Sequence, residues 1–120
     1  MEERMLERRW ERRLLCADLV QIEWKDRAGK TRSLTALLED ISRSGACLQL
    51  DSPIPVKTLL HVRHGRKTLD GTVNYCTHNE IGYFVGVTFA EKQRWSQRVF
   101  RPKHLVDPAK LDVMPDTHTG

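Results

Sequence analysis

Apolar and polar residues alternate through much of the chain, with the period of half-buried β-strands. In the clearest run, Val20, Ile22 and Trp24 alternate with Gln21 and Glu23. Short segments rich in Gly, Asp, Asn, Ser or Pro separate such runs, as turns between strands do. The pattern predicts six strands, over residues 14–25, 31–39, 46–50, 58–63, 67–76 and 81–89.

The period changes after the last predicted strand. Residues 90–94 are good helix formers, and Trp95 with Val99 supplies an apolar stripe, so we expect a helix that ends before Pro102. Six short strands and one late helix predict a mainly all-β fold, a small six-stranded antiparallel barrel with a C-terminal α-helix packed on it. The expected organisation is a charged arm over 1–13, the barrel with its helix over 14–100, and a flexible polar tail over 101–120.

Composition sets the class of protein and the sign of its partner. The 120 residues suffice for one domain, and 39% hydrophobic with 30% charged residues is ordinary for a soluble chain. The net charge of +4 favours an anionic partner, which leaves a nucleotide, a nucleic acid and an acidic protein surface open. No apolar run approaches the roughly 18 residues that span a bilayer, and no signal peptide opens the chain. We therefore expect a cytoplasmic protein without membrane insertion.

Three cysteines, Cys16, Cys47 and Cys76, are widely spaced and form no C-x-x-C pair. An odd number without metal-ligand spacing argues against a disulfide framework and a zinc site. The pair His61-x-x-His64 has no carboxylate or cysteine at ligand spacing, so surface histidines are the better interpretation. We expect reduced thiols buried as small apolar residues, no cofactor or metal, and no enzymatic activity.

Two polar stretches carry the candidate chemistry. Residues 8–13 read Arg-Arg-Trp-Glu-Arg-Arg, a cationic cluster before the first strand. Residues 40–45 read Asp-Ile-Ser-Arg-Ser-Gly and connect two predicted strands. A D-x-S-x-x-G segment can be a simple hairpin turn, because Asp and Ser bond to nearby backbone and Gly reaches positive φ at little cost. Together, an acidic-polar turn and an arginine cluster suit a ligand that carries both guanine edges and phosphates.

The order and spacing of these features resemble the PilZ domain, a bacterial six-stranded barrel that binds cyclic di-GMP. Its signature is R-x-x-x-R before the first strand and D/N-x-S-x-x-G between later strands. Asp40, Ser42 and Gly45 match the second motif, while the first is matched by Arg9 with Arg13 and also by Arg8 with Arg12. We prefer Arg9 and Arg13 for their short spacing to the strand. Residues 81–89 also resemble the closing strand of the family.

The resemblance implies roles for six residues in binding cyclic di-GMP. Arginine donates bidentately to phosphate or to the O6/N7 edge of guanine, which suits Arg8, Arg9 and Arg13. An ionised Asp40 accepts from guanine N1–H and N2–H, with Ser42 beside it. Gly45 would shape the turn. The roles of Trp10, Arg12 and Tyr75 stay open, and the arm is predicted to fold over the barrel when the ligand binds.

The resemblance therefore predicts a single-domain receptor that signals to a downstream protein partner by conformational change. Two alternatives remain: a PilZ-like adaptor that binds protein without nucleotide, and a small barrel that binds single-stranded nucleic acid. The second is disfavoured by an aromatic content of 7%, and DNA is not the expected partner.

Overall fold

The computed structural model describes residues 12–108. It contains six β-strands and one short 3-10 turn, Glu91–Gln93. The strands are β1 (Leu14–Lys25), β2 (Thr31–Ile41), β3 (Gly45–Leu50), β4 (Leu59–His64), β5 (Lys67–Asn79) and β6 (Gly82–Phe89). The prediction of six strands from the alternating pattern is confirmed, with differences of a few residues at their ends.

The six strands form a closed antiparallel barrel with the neighbour order β1-β2-β3-β6-β5-β4. Closure comes from β1 pairing with β4, where Ile22 lies opposite Val62. The pairing of β3 with β6 is the other contact between strands that are distant in sequence, and it sets Cys47 opposite Gly86. The predicted antiparallel barrel is therefore confirmed.

Alternation of side chains fills the barrel interior with aliphatic residues. Ile22, Leu38, Leu48, Leu60 and Val85 have no exposed surface. Burying each such side chain contributes roughly 1.5 to 3 kcal/mol relative to exposure, so this layer is the main source of stability.

The prediction of an α-helix after the last strand is wrong for residues 90–101. The 3-10 turn is followed by extended chain and turns, because two backbone donors of this segment bond to residues outside it, on β5 and in the turn after β2. The N–H of Ala90 donates to Asp70 O at 2.9 Å, and the N–H of Trp95 donates to Arg43 O at 2.9 Å. Trp95 and Phe100 are buried, so tertiary packing outweighs the helix propensity of the segment.

The residues after Phe100 lie against β1. A buried carboxylate, that of Asp18, accepts the N–H of Lys103 at 2.8 Å and the Nε2–H of His64 at 2.8 Å. Further along, Leu15 and Val106 exchange two backbone hydrogen bonds of 2.7 and 2.9 Å. The rest of the predicted tail, from residue 109, lies outside the described residues.

Cys16, Cys47 and Cys76 are free thiols and half-buried, so they are less enclosed than expected. Within residues 12–108, no helix has the length and apolar character needed to cross a bilayer.

Candidate functional site

The second motif begins inside a strand. β2 extends to Ile41, so Asp40 is a strand residue, and the turn itself is residues 42–44. The N–H of Ser42 donates to Gly45 O at 2.8 Å, and its hydroxyl donates to the same oxygen at 3.3 Å. Ser42 is buried, so its hydroxyl helps to close the turn.

Gly45 is required for a different reason than the turn pattern suggests. It is not among the glycines of positive φ, which are Gly29, Gly65 and Gly82 in the described chain. A Cβ atom at Gly45 would instead collide with the carbonyl oxygen of Val87 on β6. The glycine therefore permits a close approach of β3 to β6, and the expectation of a left-handed turn residue is corrected.

The two motifs meet where β1 begins and β2 ends. Leu15 lies opposite Asp40 in the β1–β2 ladder, which brings the residues just before β1 beside the carboxylate. The Arg13 Nε atom lies 3.8 Å from Asp40 Oδ1. The Arg13 side chain is 69% exposed and that of Asp40 only 18%, so a fixed acceptor faces a largely solvated cation.

Burial sets the protonation behaviour of Asp40. Desolvation raises the pKa of its carboxyl above the usual value, although the Arg13 charge and the N–H of Cys47 both act to lower it. Arg13 and the Cys47 N–H offset only part of the cost of burying the charge. The carboxylate can therefore be stabilised by further hydrogen bonds from a ligand.

These residues lie in one open pocket of about 570 Å³ on the outside of the barrel. Arg13, Asp40, Ser42 and Gly45 line one side, and Asn74, Tyr75, Gly86 and Thr88 line the other. The pocket is a shallow, open depression, and part of its volume is open solvent.

A β-bulge shapes the second wall. The register of β5 on β6 shifts between Val73 and Tyr75, and the displaced Asn74 donates from Nδ2 to Thr88 Oγ1 at 2.6 Å. Bulges re-aim side chains near functional sites. Sequence reasoning did not identify Asn74 and Thr88, because a single-residue shift between two strands leaves no sign in the alternating pattern.

Tyr75 crosses from β5 over Gly86 to reach β3. Its hydroxyl hydrogen-bonds with the Cys47 thiol, and burial followed by this contact raises the pKa of the Tyr75 phenol. Cys47 was also missed as a pocket residue, and the pKa of its thiol is raised, chiefly by burial. Tyr75 remains 42% exposed, so part of the ring faces the pocket.

Four other residues of the arginine cluster were candidates for the site. Of these, Arg8, Arg9 and Trp10 lie outside the described residues. Arg12 turns to another partner, Asp107, with Nε 3.5 Å from Oδ2. The part of the R-x-x-x-R cluster that the structure describes thus reaches the pocket through Arg13.

The two histidines of H-x-x-H have separate partners. The Nδ1 atom of His61 contacts Asp70 across the β4–β5 ladder, and His64 contacts Asp18. In the described part of the chain, no three His, Cys, Asp or Glu side chains come together as a metal site would require. In comparisons with known proteins, no family model matches the chain and no curated protein matches it significantly.

Proposed function

We propose that the protein is a bacterial cyclic di-GMP receptor of the PilZ type that signals to a partner protein. The observation that carries the proposal is the convergence of Arg13 and Asp40, 3.8 Å apart, in one pocket with Ser42 and Gly45. Arg13 and Asp40 belong to different motifs and have 26 residues between them in the chain, yet they share this site.

The chemistry of the pocket suits a ligand that has both donors and anionic groups. Asp40 accepts hydrogen bonds, as the N1–H and N2–H edge of guanine requires. Arg13 supplies a planar fork for a phosphate or for guanine O6 and N7, and Arg8 and Arg9 would add to it. A bound guanine would replace Arg13 as the partner of Asp40. The Arg13 guanidinium would then be available to the phosphate of the ligand.

Calorimetry with cyclic di-GMP tests the assignment. We expect binding by the wild type and, for Arg13→Ala and Asp40→Ala, affinities about ten- to a hundredfold weaker, the worth of one charge-assisted hydrogen bond. Arg9→Ala tests the preferred reading of the first motif. Arg66→Ala and Asp51→Ala change the same residue types at exposed positions outside the pocket and should bind as the wild type does.

The result also separates the alternatives. Absence of heat with the wild type would favour the adaptor without nucleotide. Equal binding of GTP or short RNA, with a steep salt dependence, would favour a nucleic-acid barrel. Against the latter, Tyr75 is the one aromatic among the exposed large hydrophobic residues of the described chain, whereas single-strand binders present several stacking rings.

Signalling requires a structural response to the ligand. We expect cyclic di-GMP to slow amide exchange across residues 8–15, because Arg13 and its neighbours would become fixed to the ligand. Equal exchange with and without ligand, in a protein that binds it, would contradict this mechanism and leave the binding assignment intact.

A further inference from the structure

A second concave surface lies at the opposite end of the β1–β2 hairpin from the pocket. Leu14 pairs with Ile41 at the pocket end, and Lys25 pairs with Thr31 at the other. There, residues 24–28 and residues 55–58 enclose an open groove of about 1100 Å³. We call it the hairpin groove. It has about twice the volume of the candidate pocket and no residue in common with it.

Apolar groups line the hairpin groove. Trp24 is 8% exposed, and Ala28, Pro55 and Val56 are exposed. Val56 is 52% exposed. Single exposed aliphatic side chains are common, but Val56 lines a concave surface together with Ala28 and Pro55, which is typical of a binding site.

Positive charge surrounds this apolar surface. Lys25, Arg27 and Lys57 line the groove, and within residues 12–108 none of them lies within ion-pair distance of a carboxylate. The acidic lining residue, Asp26, is already engaged. Its Oδ1 accepts the N–H groups of Ala28 and Lys30 at 2.9 Å, and its Oδ2 lies 3.8 Å from Arg32. The groove therefore presents three cations and one carboxylate, and within residues 12–108 the three cations form no ion pair.

The backbone holds one of these cations in an unusual conformation. Lys57 has φ of 76°, the one positive φ of a non-glycine residue in the described chain. Its N–H donates to Val73 O at 2.7 Å, and Thr58 accepts the Val73 N–H at 2.9 Å. Side chains rarely adopt this backbone region, and such residues cluster at functional sites. The loop is thus fixed to β5, and the groove is a preformed surface.

We propose that the hairpin groove binds an acidic segment of a partner protein, one that also carries aliphatic or aromatic side chains. Carboxylates of the segment pair with Lys25, Arg27 and Lys57, and its apolar side chains contact Pro55 and Val56. A nucleic acid fits less well, because Trp24 is the one aromatic residue that lines the groove and its ring is buried. The site is separate from the nucleotide pocket, so failure of either proposal leaves the other standing.

A random peptide library displayed on phage, panned against the immobilised full chain, tests this inference without assuming a partner. We expect the selected peptides to be rich in Asp and Glu with interspersed apolar residues. Synthetic copies should bind the Lys25→Glu/Lys57→Glu variant about tenfold more weakly or worse. Val56→Ser should weaken them too, through lost apolar contact.

Two further variants keep the test independent of folding. Lys57→Gly removes the charge but suits the positive φ, so the protein should fold at least as stably and still lose affinity for the peptides. Lys67→Glu makes the same charge change at the far end of β4, where Lys67 lies opposite His64, and should leave binding unchanged.

Several results would overturn the proposal. These are selection of no binder, selection of neutral or basic peptides, and acidic peptides that bind the double variant as well as the wild type. Binding of a single-stranded oligonucleotide that the double variant abolishes would assign the groove to nucleic acid. A dimer in sedimentation that the double variant dissociates would assign it to a second copy of the chain.

Discussion

The ring of Tyr75 lies directly over the α-carbon of Gly86. Gly86 is opposite Tyr75 in the β5–β6 ladder and opposite Cys47 in the β3–β6 ladder. A Cβ atom at Gly86 would overlap three ring carbons of Tyr75. The absence of a side chain on β6 thus lets a tyrosine of β5 span the strand and reach the thiol on β3, which forms one wall of the candidate pocket.

This relationship predicts different outcomes for two glycine substitutions in the pocket. Gly86→Ala displaces a half-exposed ring, which can rotate away, so we expect a loss of less than about 1 kcal/mol in the free energy of unfolding. Gly45→Ala places Cβ against the backbone oxygen of Val87, which cannot move alone, so we expect a loss of about 1 to 3 kcal/mol. Urea unfolding of both variants measures the difference.

The position of the ring provides a second measurement. NMR contacts between the Tyr75 ring and Gly86 should disappear in Gly86→Ala and persist in Gly45→Ala. An equal loss of stability in both variants would mean that the ring is held as firmly as the backbone.

Asp40→Asn should separate ligand binding from stability. The pKa of Asp40 is raised above its ordinary 3.8, mainly by burial, so the folded state favours the protonated carboxyl. The contribution of this group to stability is therefore lost as pH rises from 3.8 through the raised pKa. We expect Asp40→Asn to be relatively more stable above that window than below it, and to bind cyclic di-GMP at least about tenfold more weakly.

Urea unfolding of Asp40→Asn and the wild type measures the difference in their stability as a function of pH. The useful range is roughly pH 3 to 7, in which carboxyl groups titrate. Asp51→Asn, at an exposed position, serves as the control. A difference that shifts in favour of the wild type as pH rises would contradict the raised pKa.

The buried carboxylate of Asp18 should have the opposite pH dependence. Burial alone would raise its pKa, but the hydrogen bonds from His64, Lys103 and His104 outweigh burial, and the pKa is lowered from 3.8. Its contribution to stability is present above pH 3.8 and lost as pH falls through the lowered pKa. Asp18→Ala leaves these donors without their acceptor, so we expect a loss of roughly 2 to 3 kcal/mol at neutral pH.

The site of the loss can be checked by amide exchange. In Asp18→Ala, the amides of Lys103 and His104 should exchange faster, while that of Ile22 in the core should keep its high protection relative to them. Unchanged exchange at Lys103 would show that Asp18 does not hold this segment on β1.

Cys16 should react slowly with thiol reagents. Burial, together with the negative charges of Asp18, Asp40 and Glu39, raises the pKa of its thiol to about 12. At pH 8 its thiolate fraction, and hence its alkylation rate, should be roughly a thousandfold below that of a thiol at the ordinary value. Mass spectrometry after timed iodoacetamide treatment measures the rate at Cys16. A rate close to that of free cysteine would contradict the raised pKa.

The sequence was informative where one local rule operates without competition. Alternation predicted every strand, because one face of each strand fills the barrel, as Ile22 and Leu48 do. The sequence also placed the motif of Asp40 and Ser42 at the connection between β2 and β3, since these two strands are adjacent in the chain and their pairing is local. The prediction of a late helix was wrong because Trp95 is buried against the barrel and the Ala90 N–H bonds to it. Helix propensity takes no account of such tertiary contacts.

What the sequence by itself determined is the alternation of apolar and polar side chains, and with it six strands and one buried layer. Tertiary structure alone decided that Tyr75, Gly86 and Cys47 form a wall, that the Asn74 bulge faces the pocket, and that Arg13 reaches Asp40. The contact between Gly86 and Cys47 depends on the register of β3 on β6, which are distant along the chain. The Tyr75 and Arg13 contacts depend on the β5–β6 and β1–β2 registers, each of which shifts at an irregularity close to these residues. Alternation decides which face a side chain takes, but it does not show where such a shift falls, so the pattern could not predict these contacts.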